Sequence, residues 1–382
     1  MIAIGLMSGT SIDGIDAALV RLLPRGNSYE ADLLAFQTFA FAEEDLQALR
    51  EILPPNPGST AGVARVHHRL GLAFAQAAKQ IAGDASVDYI ASHGQTVYHD
   101  GDAHITFQIG DPFVIRERMQ RSVIYDFRSA DCAAGGHGAP LVPYLDALLL
   151  VSDSENRVAV NIGGIANLTI IPRRSAPESV LAFDSGPGNM LIDAFVRERT
   201  NGVVTFDKSG ELGLRGRADN AVLAEMLKDS FVLQPPPKTT GRERFGAQFL
   251  SERAAHLQTL SLEDGAATLA AFTAAALADA IKANAPARAR VIVSGGGAHN
   301  RAILRELEQR LPGFRVERSD AVKVPVDAKE AIAFAMLGYE TLRDRAANVP
   351  RATGAAHRVV LGAIAPHELP ELLQKVENEC RI

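Results

Sequence analysis

The sequence predicts an α/β protein of two domains, with mixed sheets and a central cleft. Three observations carry that expectation. The chain has 382 residues, 47% of them hydrophobic; that is length for two or three domains of about 150 residues and enough apolar material for more than one core. Hairpin patterns alternate with strand–turn–helix patterns, which points to mixed rather than purely parallel sheets. One design, an apolar strand, a glycine-bearing turn and an apolar return strand, occurs in each half, at 2–20 and at 157–171. That arrangement of turns hints at duplicated domains facing across a cleft.

Taken in order, IAIGLM and IDAALV flank the turn-rich SGTSIDG and read as strand, tight turn, strand. EEDLQALREIL (43–53) is a helix stopped by Pro54 and Pro55, and 60–82 is a longer helix with apolar residues three and four apart. VDYIASHG (87–94) is a short strand, ITFQIG another, and DPFVIRERM a helix with Asp111 at its N-cap and Pro112 at its first position. RSVIYDFR (121–128) is a strand. The Gly/Pro-rich 130–143 that follows is the expected boundary, giving an N-terminal half 1–128 and a C-terminal half 129–382, with a helix near 328–345 able to pack back on the first half. Beyond the second hairpin come strand, Gly-Pro turn and helix at 181–198, an irregular loop at 233–246, an Ala-rich helix at 262–283, and strand, triple-Gly turn and helix at 290–311. A short extended piece and a helix occupy 322–345.

Thirty-nine basic against 45 acidic residues give a net charge of −6, with 6% aromatics and no Trp. That balance disfavours sequence-independent nucleic-acid binding. Two cysteines, Cys132 and Cys380, make no disulfide framework, consistent with a reducing compartment. The N-terminus lacks a basic n-region and meets Asp13 and Asp16 early, unlike a signal peptide. The apolar run at 266–278 is shorter than the roughly 20 residues of a bilayer crossing. A cytoplasmic protein with no membrane or nucleic-acid partner is expected.

Any one glycine turn supplies positive φ and binds nothing in most proteins. Three of them directly after apolar strands favour backbone anion nests that receive a polyphosphate. Gly9 and Gly14 have P-loop spacing, but Ile15 and Asp16 stand where Lys and Ser/Thr are needed, and Asn300 replaces the third glycine of a dinucleotide fingerprint. Both of those folds are disfavoured. Backbone amides around Gly9, Thr10 and Gly14, with the hydroxyls of Ser8, Thr10 and Ser11, could hold phosphate oxygens. Asp13 and Asp16 either cap the turn or hold a divalent ion through water. Asp184, placed at the end of LAFD just before Gly186-Pro187-Gly188, should project at a ligand edge.

GLMSGTSIDGIDAAL (5–19), HGQT (93–96), FRSADCAAGGHGAPLVP (127–143), NIGGIAN (161–167), FDSGPGNMLID (183–193), PPPKTTGRERFG (235–246), SGGGAHN (294–300) and DAKEAIAFA (327–335) together resemble the anhydro-N-acetylmuramic acid kinase family, in order and at matching spacings, from residue 3 to about 365. The resemblance implies an actin-like ATPase fold of the actin, Hsp70 and sugar-kinase superfamily. It implies an enzyme that uses ATP and Mg²⁺ to open the 1,6-anhydro ring with water and phosphorylate O6 in peptidoglycan recycling. By position it assigns Gly9, Thr10, Ser11, Ile12, Asp13, Gly14, Ile15 and Asp16 to the first phosphate segment, with Asp13 and Asp16 toward the metal. Gly163 and Gly164 fall in the second phosphate loop, and Gly295, Gly296, Gly297 and Asn300 against the nucleotide. Asp184 matches the catalytic aspartate, and His93, Arg128 and Glu330 the sugar contacts. His137 stands where the family pattern has Gln.

Other classes remain to be weighed. An actin/Hsp70-type ATPase working on protein partners, or an exopolyphosphatase-like hydrolase, could use the same scaffold. His93, His99 and His104 do not have zinc spacing. Lys238, Arg242 and Arg244 lie on a loop that is either plain surface or closes on substrate. The sequence leaves the oligomeric state open, a homodimer included.

Overall fold

A computed structural model describes every residue except Thr10, Ser11, Asp13, Gly26, Asn27, Pro54, Pro55, Pro57, Arg242, Glu243, Lys323, Arg381 and Ile382. The chain divides into two compact units, Met1–Leu149 with Ala176–Ser179 and Ala328–Ile382, and Leu150–Ser175 with Val180–Asp327.

In the first unit β1 (Ile2–Ser8), β2 (Ile15–Arg25) and β3 (Ser28–Phe39) form an antiparallel meander. On the other side of β1, β4 (Tyr89–Asp100) runs parallel to it, and β6 (Val123–Tyr125) parallel to β4. The strand β5 (Ile105–Ile109) folds back antiparallel on the far half of β4, and Ala363–Ala365 closes the edge beside β6. The strand β3 has no counterpart among the sequence expectations. Its outer face carries Glu30, Asp32 and Gln37, all exposed, as suits an edge strand whose only partner is β2.

The second unit repeats the plan. Here β7 (Arg157–Ile162), β8 (Ile165–Ile171) and β9 (Leu181–Pro187) form the meander, β10 (Arg290–Ser294) lies parallel to β7, and β11 (Arg315–Arg318) parallel to β10. The orders β3-β2-β1-β4-β6 and β9-β8-β7-β10-β11 have the same sense and the same parallel and antiparallel steps. This is the duplication that the two hairpins hinted at, and it is the organisation of an actin-like fold.

Each sheet is covered by a helix of small side chains. Leu262–Asn284 is long and apolar enough to cross a membrane by composition, but its residues from Gly265 to Ala278 are buried in the core of the second unit. In the first unit Lys329–Leu342 lies on β1 so closely that a Cβ at Gly5 would sit 1.8 Å from the Ala331 carbonyl oxygen. That helix also carries Glu340, fully buried and neutralised by hydrogen bonds from the Tyr29 and Tyr144 hydroxyls and by the Arg343 guanidinium. Burying a carboxylate is tolerable only with such partners.

The division of the chain differs from the expected one. The first unit continues past Arg128 through Leu149, and takes back the whole of Ala328–Ile382 rather than one helix. The reason is the polar anchoring of the Gly/Pro-rich segment. Asp131, fully buried, accepts from the Gly138 N–H at 2.8 Å, from Asn348 Nδ2 at 2.7 Å and from Thr353 Oγ1 at 2.7 Å. What reads as a linker is therefore held inside the unit by the C-terminal segment.

Gly5→Ala should lose about 3 kcal/mol in urea unfolding, because the new methyl meets backbone rather than a movable side chain. An unchanged midpoint would show that this helix does not press on β1.

Candidate active site

Three glycine turns of the second unit meet at backbone distance. The turn between β7 and β8 holds Gly163 and Gly164; the carbonyls of these residues accept the N–H groups of Asn189 and Gly188, each at 2.8 Å. A Cβ at Gly188 would stand 2.1 Å from the Gly163 oxygen, so only glycine fits. The third turn follows β10. Gly295 has φ +79°, and a Cβ there would strike Asn161 Oδ1 at 2.5 Å. At Gly163 the nearest atom to an added Cβ is 3.6 Å away, and at Gly296 3.9 Å. Gly164 and Gly296 are exposed. The cluster thus presents open backbone at Gly163 and Gly296 on a foundation of crowded glycines, which fits a polyphosphate cradle. Asn300 Oδ1 caps the helix Arg301–Arg310 by accepting the Ala302 and Ile303 N–H groups.

Asp184 borders this cluster. The strand β9 does not end at Asp184 but continues to Pro187, through an irregularity that pairs Asp184 with Asn167 and Gly186 with Ala166. The extra residue, Ser185, turns inward and donates to the Ala166 carbonyl, so a local bulge aims Asp184 away from the core. Asp184 Oδ2 accepts the Thr240 N–H and the Thr239 hydroxyl, both at 2.9 Å, while the Asp184 N–H donates to the Lys238 carbonyl. Lys238 is itself anchored: its ammonium donates to the Phe231 and Val232 carbonyls and lies over the Phe231 ring. Burial lowers the Lys238 pKa, opposed by the charges of Asp184 and Asp229. Lys238, Thr239 and Thr240 of the loop at 233–246 thus hold the aspartate, while Arg242 lies outside the described residues.

In the first unit, His93, Arg128 and Glu330 come together from three distant parts of the chain. Arg128 Nε donates to His93 Nε2 at 2.9 Å, which places the imidazole proton on Nδ1, where it faces the Gly94 carbonyl at 3.0 Å. Arg128 Nη1 donates to the Gly138 carbonyl at 2.7 Å. Burial lowers the Arg128 pKa, and the Glu330 carboxylate is the largest charge opposing that. The His93 ring packs against Phe334 at a tilt, with centroids 4.5 Å apart, one helical turn after Glu330. Burial first, and the Arg128 charge second, hold the His93 pKa well below the imidazole range, so the ring stays neutral. His93 is 3% exposed, which makes it a support for Arg128 more than a surface for ligand.

The first hairpin is described only in part, since Thr10, Ser11 and Asp13 lie outside the described residues. Gly9 accepts from Gln95 Nε2 and from the Ile12 N–H, and Ile12 has φ +51°. Gly14 is required by β3, because a Cβ would meet the Phe39 carbonyl oxygen at 2.7 Å. Ile15 points into the core, 2% exposed. Asp16 accepts from Thr38 Oγ1 at 2.6 Å. No cluster of three or more His, Cys, Asp or Glu with metal-holding geometry occurs among the described residues. Mg²⁺ asks for less than that, since it takes one or two carboxylates and fills its shell with water and phosphate oxygens. Asp16, a hard oxygen donor at the hairpin mouth, fits such a role.

Sequence comparison gives this geometry a family. The sequence model of the family described as anhydro-N-acetylmuramic acid kinase matches residues 1–367. The chain belongs to the anhydro-N-acetylmuramic acid kinase family. It is 41% identical over 383 residues to the anhydro-N-acetylmuramic acid kinase of Caldanaerobacter subterraneus subsp. tengcongensis, covering 95% of this chain and 96% of that one. The protein of the same name from Synechococcus elongatus is 41% identical, with 95% and 99% covered. Among solved structures, the activator of the 2-hydroxyisocaproyl-CoA dehydratase from Clostridium difficile with bound ADPNP aligns at a TM-score of 0.43 and 14% identity, over 88% of this chain and 93% of that one. Family membership makes this chain a kinase rather than an actin/Hsp70-type ATPase or a polyphosphate hydrolase.

Sequence reasoning missed Thr239 and Thr240 as partners of Asp184, although KTTG stood in the motif at 235–246. It also missed Asp131, whose sequence context is only a small-residue loop.

Thr239→Val should lower kcat about ten-fold while leaving the ATP KM unchanged, since it frees one restraint on the Asp184 carboxylate without touching the glycine turns; steady-state kinetics checks it. A second expectation concerns Asp193, in the first turn of the helix Met190–Arg199. Burial, aided by the Asp207 charge and opposed by Arg197, pushes its pKa from 3.8 up to about 6. Ionising it costs more in the folded chain than in the unfolded one, so it subtracts stability as pH rises from 3.8 to about 6. Asp193→Asn should flatten that part of the stability–pH profile in denaturant titrations, and raise stability at pH 7 if the amide keeps the packing.

Proposed function

We propose that the protein transfers the γ-phosphoryl group of ATP to O6 of 1,6-anhydro-N-acetylmuramic acid while water opens the anhydro ring, giving N-acetylmuramic acid 6-phosphate and ADP. Besides family membership, the observation that supports this best is the bulged and clamped Asp184 beside glycine turns that leave open backbone at Gly163 and Gly296. Such a pairing of a positioned carboxylate with an anion cradle is what phosphoryl transfer needs, because positioning and charge stabilisation carry most of its catalysis.

The substrate explains the need for a base. Its O6 is tied in an ether bridge to C1 and has no hydroxyl proton to give up. Water must add to C1, the C1–O6 bond breaks, and O6 bonds to the γ-phosphorus as the bond to the ADP oxygen breaks. Asp184 accepts the proton released by the water. Gly163, Gly164 and Gly296 receive phosphate oxygens at their backbone, while Gly188, Gly295 and Gly297 keep the turns close. Arg128, fixed by His93 and Gly138, and Glu330 bind the sugar. Asp16, with Asp13, is the carboxylate side of the metal site. Mg²⁺, when bound, would neutralise charge on the phosphates. The enzyme would act in the cytoplasm in cell-wall recycling, and a homodimer is compatible with it.

Purified protein with ATP, Mg²⁺ and the anhydro sugar should yield the 6-phosphate by mass spectrometry, with ATP turnover depending steeply on the sugar. Run in ¹⁸O water, the label should appear at the C1 hydroxyl and not in the phosphate ester, read before anomeric exchange. Asp184→Asn should lose about 10²–10⁴-fold in kcat. Label in the phosphate, or full activity of that variant, would sink the mechanism.

A further inference from the structure

The loop that holds Asp184 is fastened at two points to one short piece of chain. That piece is Asp229 with the four-residue helix Ser230–Leu233, which Asp229 caps by accepting the Phe231 N–H at 2.9 Å. At the near end of the loop, the Lys238 ammonium takes the carbonyls of Phe231 and Val232. At the far end, Arg244 donates to Asp229 Oδ1 through Nε at 3.2 Å and Nη2 at 2.8 Å, and to Ser230 Oγ through Nη2 at 2.8 Å. The Arg244 guanidinium also lies over the rings of Phe231 and Phe245, which meet edge to face, and Phe245 is fully buried. Thr239 and Thr240, the partners of Asp184 Oδ2, lie between the two fastenings.

An ion pair between two exposed side chains would restrain such a loop weakly. The Asp229 side chain is only 8% exposed, so its pair with Arg244 is not of that kind. A planar guanidinium that reaches a carboxylate and a hydroxyl together fixes the direction of the chain as well as its distance. A second arginine, Arg253, comes within 3.6 Å of Asp229 Oδ2 from beyond the helix Ala247–Glu252. It offsets the same buried charge and holds no part of the loop.

We propose that Arg244 is a positioning residue for phosphoryl transfer: anchored on Asp229 and Ser230, it holds the far end of the loop so that Thr239 and Thr240 keep their donors on Asp184. The proposal rests on Asp184 being the base. It gives Arg244 no contact with ATP or the sugar.

Steady-state kinetics of a double-substitution cycle, with ATP and the anhydro sugar as substrates, tests it. Arg244→Ala should lower kcat about ten-fold and leave both KM values within about two-fold of wild type, as when a base is held less firmly and no ligand contact is lost. In an Asp184→Asn background the same substitution should change kcat by less than about two-fold, because no base is left to position. Arg253→Gln, which loosens Asp229 without freeing the loop, should melt lower than wild type and keep its kcat. If Arg244→Ala does not fold, Arg244→Lys replaces it in the cycle, since a lysine ammonium lacks the fork that spans Asp229 and Ser230. A raised KM for ATP with kcat kept would make Arg244 a ligand contact and overturn the proposal. So would an unchanged kcat, a ten-fold loss repeated in the Asp184→Asn background, or an equal loss in Arg253→Gln; the kinase reading stands in each of these cases. Wild-type kcat in Asp184→Asn alone overturns the base and the proposal with it.

Discussion

The second unit depends on a steric permission. The turns after β7 and β9 lie within hydrogen-bond distance of each other because Gly188 carries no Cβ, and the turn after β10 packs against Ile162 because Gly297 carries none; an added carbon at Gly188 or Gly297 would overlap a neighbour at 2.1 or 2.2 Å. Backbone that close can pair N–H to carbonyl across turns, as Gly188 and Asn189 do with Gly164 and Gly163. The same closeness fixes where the remaining, uncrowded glycines face. Backbone packed this way is rigid, so an anion received there would need little further ordering on binding.

Asp184 is positioned by a different device. A one-residue bulge in β9 rotates the carboxylate out of the register of its strand, and a loop from more than fifty residues downstream takes hold of it through Thr239 and Thr240. That loop is tied in turn through Lys238 to two backbone carbonyls. A carboxylate with its hydrogen bonds already made keeps one orientation.

The first unit handles charge by burial with partners. Glu340 is surrounded by tyrosine hydroxyls and Arg343, Asp146 pairs with Lys329 at 2.6 Å, and Asp131 gathers donors from the Gly138 backbone and the C-terminal segment. The last of these reaches Arg128, since the Gly138 carbonyl is also the acceptor for its guanidinium. Both units use one strand order.

Local pattern determined a great deal here. Strand alternation, the Asp111-Pro112 helix start and the 60–82 helix are set by residues near in sequence, and the structure has them at Pro112–Met119 and Thr60–Ala82. The ordered motifs carried the family. That Asp184 stands out of its strand's register, and what holds it there, came only with the fold. What the sequence could not decide are the partnerships between distant segments. The strand β3 is an edge whose polar face hides its period, the bulge after Asp184 exists only against β8, and the end of the first unit is set by Asp131 meeting Asn348 and Thr353. Likewise Asn300 is a helix cap only where the Ala302 and Ile303 N–H groups reach it, and Ser92 looks like any strand serine until its surroundings leave its hydroxyl without a partner among the described residues. Hydrogen bonding and close packing are pairwise and short-ranged, so one residue's part in them is fixed only when the fold supplies the other.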